Sequence, residues 1–500
     1  MASPLKKLLG QTAIYGMSSI IGRLLNYGLT PLYTSVFTAD QFGIITEMYA
    51  YVAFLVVLLM YGMETAFFRY YSDHKNKDGV FSTALWSLLV TTFGFIGVVT
   101  LFAEDIAIKL GYPENSEYVT WFAIIVGLDA LIAIPLAKLR AENRPLKFAT
   151  VNFAFIGTNV ALNIFFLYYC LPNYQSGNTN WLIDLVYNPD IGVGYVFILN
   201  LISSVLRFVL VLPDIVKVKL RFDPLIWKQL LSYGFPLLIV GLAGMVNETL
   251  DKLLLKWLLI PSLGEVEAMT QVGIYGGVYK LSIAITLFVQ AYRYAAEPFF
   301  FDQKKQEGSR ETYAQMLHWF TAFVLFAFLV ITLFIDVFKN FLQSEEYWVG
   351  LDIVPILLIG NIFLGIYYNL SVWYKLTDKT IYGSYLALTG ALITITMNLW
   401  LIPILGFRGS AIATLVCYFT MAVLSYVIGQ RHFRVPYSLK KLALYFGLSI
   451  SIYFFSLQLQ FENQFAFYII RVLLVGVYLA VVAYIEIIKP RKHVARNRNH

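Results

Sequence analysis

The sequence is poor in charge. Of its 500 residues only 13% are Asp, Glu, Lys or Arg, about half the ~25% of a soluble globular domain. A chain this apolar cannot clothe a soluble surface of its own length, which excludes a soluble enzyme and a nucleic-acid-binding protein; the net charge of +7 has no soluble basic face to sit on. Cysteine is nearly absent. Cys170 and Cys417 both fall in apolar runs, so there is no disulfide framework, zinc spacing or thioredoxin-like pair. The five histidines are scattered and make no metal constellation. No Walker-type glycine loop occurs, which excludes an ATPase cassette. The basic start MASPLKKLLG is not followed by a short apolar core and a small-residue cleavage site, and reads as a retained first helix.

What is abundant is apolar: 59% of residues are hydrophobic and 17% aromatic. Counting runs of about 20 mostly apolar residues as spans predicts an all-α integral membrane protein of about 14 transmembrane helices. The first six lie near 9–37, 42–71, 79–103, 118–140, 146–170 and 192–213. The next six lie near 228–260, 271–299, 311–336, 348–375, 380–403 and 408–430, and a last pair near 439–459 and 465–488. The runs are too long, and too little alternating, for barrel strands. With the N-terminus in the cytoplasm, the cytoplasmic segments hold 26 Lys and Arg and the opposite loops three: Lys109, Lys339 and Arg408. Acids such as Glu104, Asp105, Glu114, Glu117, Glu265 and Glu267 sit on the other side. This positive-inside asymmetry predicts an even span number and two cytoplasmic termini.

An internal repeat is present. Gln41-Phe42-Gly43-Ile44 opens span 2, and Gln271-Val272-Gly273-Ile274 opens span 8. Leu8-Leu9-Gly10 before span 1 matches Leu230-Leu231-Ser232 before span 7. Asn163 late in span 5 matches Asn398 late in span 11, and Gly192-Val193-Gly194 resembles Gly406-Phe407-Arg408-Gly409. In register order these predict two pseudo-symmetric six-helix lobes around a central cavity, 1–227 and 228–434, followed by two extra helices and a basic tail in 435–500.

The segment LYTSVFTADQFGIITEMYAYVAFLVVLLMYGMETAFFRYYSD, with Phe42-Gly43, Gly62 and Ala66-Phe67-Phe68-Arg69-Tyr70, resembles the Wzx-like polysaccharide-biosynthesis flippases of the MOP superfamily. So does NLWLIPILGFRGSAIAT, with Asn398, Pro403, Gly406 and Gly409. The resemblance implies a MATE-like fold in the bacterial cytoplasmic membrane. It also implies export of a polyprenyl-diphosphate-linked oligosaccharide for surface polysaccharide biosynthesis, without a cofactor. A polymerase or glycosyltransferases of the same pathway would then be its partners, and the chain would act as a monomer.

Eight bases lie inside the spans: Arg23, Arg69, Arg207, Lys252, Lys256, Lys280, Arg293 and Arg471. A charge at membrane depth costs at least ~2.5–3.5 kcal/mol, so each needs a reason. Arg23 shares a stripe with Gln11, Tyr15, Ser19, Asn26 and Thr30, three or four apart, and so on one helix face. Lys280 and Arg293 stand in the outer half and inner third of span 8. Glu297 follows Arg293 by one turn, and Glu248 precedes Lys252 by one turn on a helix that also carries Asn247 and Asp251. Lys256, near a span end, is expected to snorkel; Arg69 and Arg471 are expected at interfaces; Arg207 has no evident partner.

Arg23, Lys280, Lys252 and Arg293 are therefore the candidate substrate-binding residues, since Arg and Lys offer charge-assisted hydrogen bonds to a diphosphate. The alternative for each is an ion pair made for packing. Glu64, Asp129, Glu248, Asp251 and Glu297 are candidate gating or coupling-ion residues, the ion being a proton or sodium. Glu64 and Arg293 fall at near-equivalent repeat positions and are expected to meet as a cytoplasmic gate. A lipid II flippase and a MATE-like cation or drug antiporter are the alternative functions; the unmatched bases argue against the antiporter. A membrane glycosyltransferase would need acids in a sizeable cytoplasmic loop, and the longest loop, 171–191, faces the other side with only Asp184 and Asp190.

Overall fold

The computed structural model describes residues 21–303, 308–459 and 463–488. Among them every long element is a helix and no strand occurs. Fourteen helices follow one another: α1 (21–28, continued as Thr30–Val36), α2 (Ala39–Met60 and Met63–Asp73), α3 (Lys77–Leu101), α4 (Ser116–Ala141), α5 (Pro145–Asn163, running on through a π-turn) and α6 (Gly194–Val216). Then come α7 (Pro224–Leu263), α8 (Glu265–Gln303), α9 (Ser309–Leu333), α10 (Val354–Leu370 and Val372–Leu376), α11 (Ile381–Leu405) and α12 (Phe407–His432). The last two are α13 (Leu439–Leu457) and α14 (Gln464–Ala483). Twelve of these, α2 to α12 and α14, are long and apolar enough to cross a membrane. Helix α1 is described only from residue 21, and α13 begins on Lys440 and Lys441. The expected all-α architecture is observed, with twelve candidate membrane spans among the described residues against the about 14 expected. Helix α7 is longer than its apolar run, at 40 residues, or about 60 Å at 1.5 Å per residue.

The chain packs as two compact units. One comprises 1–277, 342–347 and 394–410; the other comprises 278–341, 348–393 and 411–500. The sequence repeat instead divides at 227/228.

In the first unit, α4 is the central post, packed on α2, α3 and α6. Met63, Phe67, Phe81, Leu85, Ile132 and Ala137 form its main buried cluster. Two helix crossings rest on glycine. The repeat glycines Gly43 and Gly273 meet each other: a Cβ on Gly273 would lie 1.7 Å from the Ala39 carbonyl oxygen and 2.9 Å from the Gly43 nitrogen. The repeated Gln-x-Gly-Ile string is thus a mutual contact of the two helices that carry it. Lower down, α2 breaks at Tyr61 and Gly62, both with positive φ. A Cβ on Gly62 would lie 2.2 Å from the Gly234 oxygen of α7, so only glycine meets both the turn and the approach. The segment 342–347 packs into this unit. Tyr347 is fully buried, its hydroxyl donates to the Phe37 carbonyl at 2.9 Å, and Glu346 caps α2 by accepting from the Ala39 N–H at 2.9 Å.

In the second unit α9 is the post, packed on α10, α13 and α14. Tyr478 of α14 is buried and donates to the Ala322 carbonyl at 3.0 Å. Lys441 of α13 and Glu486, just beyond α14, pair at 3.0 Å.

Candidate anion-binding site

In the second unit, α8 and α10 bring two bases and one acid together. Lys375 Nζ lies 2.6 Å from Glu297 Oε1, both partly exposed. One turn back on α8, the Arg293 guanidinium sits over the Tyr368 ring at 4.8 Å from its centroid and makes no ion pair among the described residues. Tyr292 donates to Asn369 Oδ1 at 2.7 Å, and Asn369 Nδ2 donates to the Gly365 carbonyl at 3.0 Å, which fixes the amide. Gly365 leaves α10 without a side chain where Val289 and Phe320 approach. These residues line a narrow pocket with about 20 Å³ of free space, room for roughly one water molecule. The site carries one more base than acid and is closed in this structure.

The other expected residues fall in several places. Arg23 is exposed on α1; Gln11, Tyr15 and Ser19 of its stripe lie outside the described residues. Lys280 is half-buried on α8, in the second unit, 13 residues from Arg293 and so about 20 Å along the helix. In the first unit Lys252 pairs with the adjacent Asp251 at 3.0 Å and donates to the Glu248 main-chain carbonyl at 3.0 Å. Asp251 also accepts from the buried Tyr275 hydroxyl at 2.5 Å. The acid beside Lys252 is therefore Asp251, not the Glu248 carboxylate, which is exposed. Likewise Glu297 is held by Lys375 and not by Arg293. Glu64 is bonded by Arg140 of α4, so each half of the expected Glu64–Arg293 gate has a partner within its own unit.

Two expectations about the remaining bases fail. Lys256 does not snorkel: it and Glu47 are completely buried and paired at 2.9 Å, and its ammonium also bonds the Leu110 carbonyl. Helix α7 continues past it to Leu263 with its side chain turned inward, so the end of the apolar run is not the end of the helix. Arg207 does have partners. Its Nη2 donates to Asn152 Oδ1 at 2.7 Å, and its Nη1 lies 3.6 Å from Asp129 Oδ1. Arg471 pairs with Asp336 and stacks on Phe467, while the exposed Arg69 lies over Tyr233.

Glu47, Asn152, Arg140 and Lys375 were missed by sequence reasoning. An acid in an apolar run marked Glu47, but its partner lies 209 residues away, beyond any spacing rule. A cavity of about 430 Å³ in the first unit is lined only by apolar side chains such as Met48, Tyr51, Phe95, Leu110 and Phe122, and offers nothing to a charged group. Among the described residues no cluster of His, Cys, Asp and Glu is placed to hold a metal ion.

Residues 36–176 match the model of a polysaccharide biosynthesis protein family. No curated protein matches the chain in sequence. Among solved structures, the lipid II flippase MurJ in an inward closed conformation superposes with a TM-score of 0.71 at 15% identity, covering 94% of this chain and 97% of that one. An inward-facing multidrug resistance MATE family transporter of the MOP superfamily gives 0.61 at 15% identity, covering 82% and 94%. An outward-facing one gives 0.58 at 13%, covering 86% and 96%. At such identities the superpositions speak for the fold alone. The polysaccharide-family match lies on the same α2 strings that carried the resemblance to the Wzx-like flippases, and it covers 36–176 of the 500 residues.

Proposed function

We propose that the protein flips a polyprenyl-diphosphate-linked oligosaccharide across the bacterial cytoplasmic membrane, from its basic to its acidic side, for surface polysaccharide biosynthesis. The observation that carries the reading is Arg293, a guanidinium near the end of the α8 span with no acid paired to it among the described residues, lining one pocket with Lys375. A diphosphate brings two or more negative charges. Arg293 can grip it with a planar fork of donors, and Lys375 can add a point charge. The anion would compete with Glu297 for Lys375, so loading the site separates an existing pair. Arg23, Lys280 and Lys252 are proposed as further ligands along the path, and Glu64, Asp129, Glu248 and Asp251 as gate or coupling-ion groups. The basic loops set the orientation. Outward movement of an anion is favoured by an inside-negative potential, by ~2.3 kcal/mol per charge per 100 mV.

The test is flipping of a fluorescent polyprenyl-diphosphate oligosaccharide in proteoliposomes. Arg293→Ala combined with Lys375→Ala is expected to slow it at least ~tenfold, the scale of one lost charge-assisted hydrogen bond, and Arg23→Ala or Lys280→Ala to slow it less. Wild-type flipping by the double variant at normal protein levels would remove the cationic-site model. A lipid II flippase is the second reading, favoured by the TM-score of 0.71 with a lipid II flippase. It shares the diphosphate and differs in the sugar, so competition between the two lipids in the same vesicles separates them.

A further inference from the structure

Inside the first unit, Asp129 of α4 and Arg207 of α6 face each other without a hydrogen bond. Their closest approach is 3.6 Å. Asp129 Oδ1 and Arg207 Nε are buried atoms with no hydrogen-bond partner. The guanidinium is held by one bond to the neutral Asn152 amide at 2.7 Å and by the Phe155 ring at 5.0 Å. Both side chains keep some exposure, 20% for Arg207 and 29% for Asp129. The Lys256–Glu47 pair of the same unit, by contrast, makes a direct hydrogen bond at 2.9 Å. This one holds a base whose Nε has no partner and whose one direct bond goes to a neutral amide, beside an acid that does not engage it.

The pair also lies on a polar track. Asn200, Ser204 and Arg207 share one face of α6, three and four residues apart, and Asn200 Nδ2 donates to Tyr49 OH at 2.7 Å. On α5, Asn152, Asn159 and Asn163 are all buried, and Asn163 Oδ1 accepts from Tyr33 OH at 2.9 Å. Polar side chains at membrane depth mark a hydrated or proton-conducting route.

We propose that Asp129 and Arg207 form a proton-gated anion site: a proton on Asp129 releases Arg207 to bind a diphosphate, and loss of the proton draws Arg207 back. The site takes a proton and not sodium, because a bare cation at the Asp129 carboxylate would stand against a guanidinium 3.6 Å away, whereas a proton removes the charge that restrains it. Among the described residues Arg207 is the one charge facing Asp129. Helix α3 carries no titratable residue after Asp78, α5 presents Asn152, and α2 presents Tyr49, with its second half contributing Glu64, which Arg140 holds at the end of α4. The short helix Ala103–Leu110 meets α4 with its own acids in its first turn, at the opposite end. The biological ligand rests on the proposed diphosphate-lipid function; the binding linkage does not.

Inorganic pyrophosphate is the probe, titrated calorimetrically into the full-length protein in detergent between pH 5.5 and 8, in buffers of different ionisation heat. Wild type is expected to bind more weakly as pH rises, by up to ~tenfold per pH unit more than Asp129→Asn where Asp129 titrates. It is also expected to take up one more proton per anion than that variant, a difference in which the titration of pyrophosphate itself cancels. Asp129→Asn, which fixes the released state, should bind as tightly as wild type at low pH, and Arg207→Gln should lose at least ~tenfold in affinity. Identical proton uptake in wild type and Asp129→Asn overturns the gate, and unchanged affinity in Arg207→Gln overturns the ligand. If Arg207→Gln does not fold, the Asp129→Asn comparison alone decides. Linkage without flipping of the lipid-linked glycan would sink the substrate assignment and leave the site; flipping without linkage would do the reverse.

Discussion

Two base–acid pairs in the first unit invite comparison. Lys256 and Glu47 are completely shielded, 2.9 Å apart, with the ammonium also bonding the Leu110 carbonyl and approaching the Tyr112 hydroxyl at 3.4 Å. The Tyr112 hydroxyl in turn donates to Glu47. That cluster ties α7, α2 and the turn after Ala103–Leu110 into one knot. Arg207 and Asp129 span α6 and α4 at 3.6 Å, partly exposed and with donors to spare. Both place opposite charges where a membrane protein can least tolerate them singly. The first makes a direct hydrogen bond and holds helices together, although Glu47 Oε1 has no partner; the second makes no direct hydrogen bond. Membrane depth alone therefore does not mark function. What separates these two pairs is whether base and acid bond each other directly.

The largest consequence falls on the closed pair. Lys256→Met should strip from a fully buried carboxylate the one cation paired with it among the described residues and lower stability by about 3–5 kcal/mol, the range for breaking a buried pair from one side. Thermal melting in detergent measures it. Adding Glu47→Met should recover most of the loss, because the uncompensated charge goes with it. A melt unchanged by Lys256→Met would mean that the knot is not structural and would dissolve the comparison.

A smaller loss tests whether the same region is fixed by backbone contact as well as by charge. In Gly273→Ala the new methyl would meet the Ala39 carbonyl at 1.7 Å, and such overpacking costs typically ~1–3 kcal/mol. Gly94→Ala on α3, with open space around it, should show no loss in the same melt. Equal behaviour of the two glycines would show that the α2–α8 crossing is not tight.

These residues also show how far the sequence could be read. The helix count followed from apolar runs, because lipid forces backbone polar groups to bond within their own segment. The Gln-x-Gly-Ile repeat was visible as a string, and its glycines prove to touch. The charges were legible as anomalies but not as pairs. Arg207 finds Asn152 55 residues away and Lys256 finds Glu47 209 residues away, and spacing rules reach only one or two helix turns. Where a one-turn spacing suggested a partner, another took it: Lys375 of α10 took Glu297, and Asp251, adjacent in sequence, took Lys252. Local charge pairs stabilise a helix by only ~0.2–0.5 kcal/mol, too little to hold a side chain against a better-placed partner from a neighbouring helix.

The smallest effect is expected at the open pair, and it bears most directly on the contrast. A double-mutant cycle of Arg207→Met and Asp129→Asn, read by melting at neutral pH, should return a coupling of about 0.2–1 kcal/mol, as for half-exposed pairs without a hydrogen bond. The corresponding cycle of Lys256→Met and Glu47→Met should return several times that. The two cycles use the same protein, detergent and readout, so their ratio does not depend on the reference state of either. A coupling at Arg207–Asp129 as large as at Lys256–Glu47 would mean that the long contact closes in solution and that Arg207 is spent on Asp129. A small coupling leaves Arg207 a cation held in place by Asn152 and Phe155, restrained by its acid but not consumed by it, which is the condition an exchangeable anion ligand must satisfy.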